Sequence, residues 1–227
     1  ELDWLDLEKI HTENIGELGA GGSRVVGRYL LMEHSDQFLG RVKEMIQNGE
    51  KRAGTGKIYV HLLAGLGGGL GSGCFLDVCY LVRKAIKEEG VDAIVSGYFF
   101  LPDVSLAKVP PSVVWVRDYI KKNGYAAMQE LDYCMKIGEN GGAFVQNYKR
   151  GIQAAWEEPP VDVCFLLSAM NQYQRTGESA CQDVKKKVTL YILSCLMKGG
   201  TEWLKKEHLF LNSKRREKKS GYQNVYC

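Results

Sequence analysis

An apolar run, a crowd of glycines and an amphipathic segment follow one another in KIYVHLLAGLGGGLGSGCFLDVCYLVRKAI, residues 57–86. That order constrains the fold more than any other stretch of the chain. Ile58 to Leu63 is short, apolar and mostly strand-forming, which predicts a buried strand. Gly65, Gly67, Gly68, Gly69, Gly71 and Gly73 then crowd into nine positions. Phe75, Val78, Cys79, Val82, Ala85 and Ile86 share one helical face, and Gly90 supplies the stop.

The alternation continues downstream. AIVSGYFFL, closed by Pro102, and VDVCFLL read as two more strands. Helices are predicted from Val26 to Ile46, over VRDYIKKNGYAAMQELDYCMKI and over ACQDVKKKVTLYILSCLMK, with Gly124 weakening the middle of the second. NGEKRAGTGK, DVSLAKVPPSV and SAMNQYQRTGES read as loops, and ENGGAFVQNYKRGIQAAWEEPP as an irregular excursion or hairpin. Strands alternating with helices predict an α/β fold: a three-layer, Rossmann-like parallel sheet with helices on both faces.

Composition narrows the function classes. At 227 residues and 45% hydrophobic, one domain is the default. A net charge of +3 is too mild to imply nucleic acid. Lys214, Arg215, Arg216, Lys218 and Lys219 cluster near the end and read as a solvated segment. Seven cysteines without a C-x-x-C pair give neither a zinc site nor a disulfide framework, and no metal site is predicted. No apolar run reaches the ~18 residues of a membrane span and no signal peptide is present, so a reduced, cytoplasmic chain is expected.

A glycine-rich loop between a strand and a helix is either a packing device or a cradle for phosphate. In the cradle, backbone N–H groups and the positive end of the helix dipole meet the anion. A P-loop needs Gly-Lys-Ser/Thr at its end, but Cys74 and Phe75 follow Gly73. A dinucleotide fingerprint needs G-x-G-x-x-G, and no register of residues 65–73 supplies it. An NAD-dependent oxidoreductase therefore fails on glycine spacing.

GGGLGSG, Gly67 to Gly73, resembles the glycine loop of the tubulin/FtsZ superfamily, G-G-G-T-G-[ST]-G. Upstream, GAGGSRVVGR resembles that family's preceding loop, G-A-G-x-N-P-x-x-G-R, at Gly19, Ala20, Gly21, Gly27 and Arg28. One helix and one strand are expected between the two loops. RDYIKKNGYAAMQELDYCM is similar to the divergent branch of large bacterial tubulin-like proteins. The resemblance implies a guanine-nucleotide site for GTP or GDP, with Mg2+ carried by the nucleotide. Gly19, Ala20, Gly21, Gly22, Ser23, Gly67, Gly68, Gly69, Leu70, Gly71, Ser72 and Gly73 would hold the phosphates. Asn171 and Asp183 would meet the ribose and base, since a carboxylate accepts from the guanine ring N–H and exocyclic amine together. It further implies a homo-oligomer or filament in which a neighbouring subunit completes hydrolysis.

The chain departs from the family pattern in places. The family's phosphate-binding threonine is Leu70 here, and losing that hydroxyl removes about 1–3 kcal/mol of grip. Its asparagine is Ser23 and its proline Arg24. Nothing before Glu17 resembles the family's first strand and phosphate loop, and no acidic loop follows the central helix, so no catalytic residue is assigned. Residues 1–200 are expected to form an incomplete nucleotide-binding domain, with 201–227 an unassigned basic segment. A non-catalytic interaction protein with a degenerate site is the alternative function.

Overall fold

The computed structural model describes residues 20–54, 56–170 and 178–196. Gly19, Asn171 and the basic segment 201–227 lie outside the described residues.

Three strands form a parallel sheet: β1 (Ile58–Gly65), β2 (Ala93–Phe100) and β5 (Val163–Leu167), in the order β1-β2-β5. Central β2 is buried along nearly its whole length, which is why AIVSGYFF is almost uniformly apolar rather than alternating. The register pairs Gly65 with Phe100 and Phe100 with Leu167, so all three strands end at one rim. Two further bonds, Leu66 N–H to Phe100 O (2.9 Å) and Leu101 N–H to Leu167 O (2.8 Å), carry the alignment into the loops.

Helices cover both faces, as a three-layer α/β fold requires. On one face α1 (Arg24–Glu33), α3 (Gly69–Glu89) and α5 (Val114–Met135) build the larger core around Phe75, Cys79, Leu81, Val95, Phe99 and Leu131. On the other, α4 (Pro102–Leu106) and α6 (Glu178–Leu196) pack Val104, Cys181, Val184 and Val188 against Tyr98 and Leu167. The excursion after α5 is the expected hairpin: β3 (Phe144–Asn147) pairs antiparallel with β4 (Gln153–Trp156).

Several boundaries differ from the sequence expectation. The single helix predicted from Val26 to Ile46 is two, α1 and α2 (Ser35–Ala53), broken at His34. Ser35, fully buried, donates its hydroxyl to Met32 O at 3.0 Å and satisfies one of the carbonyls that end α1. NGEKRAGTGK is helical through Ala53, because Gly54 (φ 65°) rather than Gly49 supplies the stop. DVSLAKVPPSV is not all loop either: Pro102 closes β2 and also opens α4, its fixed φ being suited to a first helical turn.

Candidate nucleotide-binding site

The two glycine segments meet at the rim. Gly21 (φ 53°) and Gly22 (φ 84°) turn the chain in a conformation that L side chains rarely adopt. Ala20 O accepts from Ser23 N–H at 2.8 Å, and the Ser23 hydroxyl accepts from Val26 N–H at 3.4 Å as the N-cap of α1. The second segment leaves Gly65, and α3 begins inside the glycines, at Gly69, where no side chain among the described residues caps it. An N-terminus without a side-chain cap leaves N–H donors turned outward.

Close packing explains most of the second loop's glycines. A Cβ on Gly69 would stand 2.7 Å from Ser23 N, and one on Gly73 2.2 Å from Arg24 O. One on Gly71 would meet Gly65 O at 2.4 Å, and one on Gly67 would meet Ile120 Cγ2 at 2.8 Å. From the other helix, a Cβ on Gly27 would fall 2.4 Å from Gly69 O. The first turns of α1 and α3 therefore touch backbone to backbone, and the positive ends of two helix dipoles lie together. Gly68 is different: it is exposed, and among the described residues nothing lies near its absent Cβ.

The hydroxyls and charges of the loops are placed unevenly. Leu70, in the first turn of α3, is 51% exposed, so core packing does not explain its side chain. Ser72 is fully buried, and its hydroxyl donates to Asn123 O at 3.0 Å. Arg24 donates to Ser72 O (3.0 Å) and pairs with Glu130, which binds α1 to α3 and α5. Arg28 Nε lies 3.1 Å from an oxygen of Asp77, while its Nη2 donates to Gln146 at 2.7 Å; Tyr148 donates to Asp77 at 2.9 Å. Burial pushes the Asp77 carboxyl up from its ordinary value, against the Arg28 charge and the Tyr148 hydrogen bond, which pull it down. A cavity of about 580 Å³ opens beside this cluster, between α1, α3, α5 and β3. It shares Arg24 and Gly73 with the loops but not the rim, and the charges on its walls, Arg28–Asp77 and Arg24–Glu130, are already paired.

The loop after β5 is anchored by Asp103 of α4, whose carboxylate accepts from Ser168 Oγ (2.7 Å) and from the N–H groups of Ala169 (2.6 Å) and Met170 (3.0 Å). That anchor ends one residue before Asn171. Asp183 stands exposed on α6 between buried Cys181 and Val184, in the layer on the sheet's other face. The structure thus brings Gly22 and Ser23 against the residues 67–73 loop, with Ala20 and Gly21 in the turn that leads into them, and carries Asp183 on α6 in the other helical layer. Asn123 and Asp103 were not read from sequence as site residues. An Asn-Gly pair inside a helix is an ordinary turn signal, and a lone Asp after a strand an ordinary cap.

The comparisons agree with this architecture. A family model described as tubulin like matches residues 2–218. The chain belongs to the tubulin-like family. No curated protein matches the chain.

Proposed function

We propose that this domain binds a guanine nucleotide, GTP or GDP, with its phosphates at the joined N-termini of α1 and α3. The observation that supports this most directly is the backbone contact of Gly69 with Gly22 and Ser23, beside an α3 N-terminus that no side chain among the described residues caps. Open space at Gly68 leaves room for an anion to reach the backbone. Mg2+ would arrive with the phosphates. Asn171 and Asp183 are the proposed ribose and base contacts, and a second copy of the chain the proposed source of the water-activating group. In calorimetry with Mg2+, the full-length protein is expected to bind GTP and GDP; a flat titration overturns the reading.

One pair of observations favours a second reading, a tubulin-fold interaction protein with a degenerate site. Leu70 replaces the phosphate-binding hydroxyl, and Ser72 turns its own inward. Leu70→Thr separates the two. The position is half exposed, so the change is expected to move stability by less than about 0.5 kcal/mol. A gain in GTP affinity of about tenfold or more, the worth of one charge-assisted hydrogen bond, marks a decayed site. Unchanged affinity marks an intact one.

A further inference from the structure

Asn123 lies in the middle of α5, outside both glycine segments, yet both are fastened to it. It is 6% exposed, and its side-chain nitrogen donates to Gly22 O at 2.8 Å and Gly67 O at 3.2 Å. Its main-chain oxygen accepts the Ser72 hydroxyl at 3.0 Å. Only the NH2 end of the amide can serve two carbonyls, since the oxygen has nothing to donate. Both of its protons are then spent, one on each loop. The neighbouring glycine lets α5 lie close on α4: a Cβ on Gly124 would stand 1.8 Å from Pro102 Cγ.

We propose that Asn123 is the positioning residue of the nucleotide site, fixing the spacing of the two phosphate loops through one side chain. The assignment rests on the nucleotide reading above. Gly22 precedes α1 and Gly67 precedes α3, so the length of one amide sets how the two helix N-termini face a shared anion. A displacement of α5 would move both loops together.

An aspartate at this position carries its own pH readout. Ionised, Asn123→Asp sets a carboxylate against two carbonyl oxygens and repels both loops. Protonated, it regains one O–H donor. GTP affinity of the full-length protein would be measured by calorimetry from pH 8 to pH 5.5 for wild type, Asn123→Asp and Asn123→Ser, with thermal melting alongside. The aspartate variant is expected to bind about ten- to hundredfold more weakly at pH 8 and to recover most of that loss at pH 5.5, while wild type changes little over the same range. The serine variant, too short to span both carbonyls, is expected to be weak at every pH. Variants that bind like wild type, or an aspartate variant whose loss follows its melting temperature without recovery in acid, overturn the assignment and leave the nucleotide reading standing. Should the aspartate variant not fold, lost affinity in a serine variant of unchanged melting temperature supports the assignment, and retained affinity overturns it. Wild type that binds no guanine nucleotide overturns the functional reading and this assignment together.

Discussion

Arg28 reaches from α1 to Asp77 on α3 and to Gln146 on β3, and Asp77 in turn holds Tyr148 beside the hairpin. Asp77 is 2% exposed, and the guanidinium and phenol that face its carboxyl work against the cost of burying it. Arg28→Met leaves that carboxylate without its counter-charge. The variant is expected to lose about 3–5 kcal/mol of unfolding free energy in urea, where a surface ion pair would lose under about 1. A smaller loss would mean the hairpin is held by its apolar contacts alone. Gly27 and Arg28 were legible in the sequence as part of a motif, but their task was not. The arginine's partner lies 49 residues away, and nothing in a periodic pattern marks which buried acid a given base will meet.

At the scale of elements, the glycine loop separates into four positions held by packing, Gly67, Gly69, Gly71 and Gly73, and two that are not, Gly65 and the exposed Gly68. Gly73→Ala would place a methyl group 2.2 Å from the Arg24 carbonyl, so α1 and α3 must part. A loss of about 1–3 kcal/mol is expected in urea unfolding. Gly68→Ala meets nothing and keeps a φ of −85°, so its change should stay within about 0.5 kcal/mol. Equal losses at the two positions would contradict this division. Strand, loop and helix were readable here because their periodicities differ so sharply. The start of α3 was not, since glycine's poor helix propensity argues for a loop and tertiary contact overrides it. The break at His34 was hidden for the opposite reason: Leu31, Phe38 and Val42 keep helical spacing straight across it.

For the whole molecule, alternation of strands and helices was enough to expect a parallel sheet between two helical layers. The order β1-β2-β5 was not legible, because hydrophobic runs do not say which edges pair. Nor does any local pattern reveal that α5 closes over both loops. The tubulin-like fold leads to one expectation at this scale: in sedimentation velocity, the full-length protein should shift to larger species with GTP and Mg2+ and less so with GDP. Identical profiles with and without nucleotide would remove filament assembly from the reading.

Gly67, Gly69, Gly71 and Gly73 each have backbone or side-chain atoms where a methyl group would go. Selection on folding alone is therefore enough to preserve them. A descendant of this chain that abandoned its ligand would keep most of the signature for as long as it kept α1 against α3. Among the loop's exposed positions Gly68 would be released to drift, and its variation among relatives would date the loss of a ligand better than the persistence of its packed neighbours.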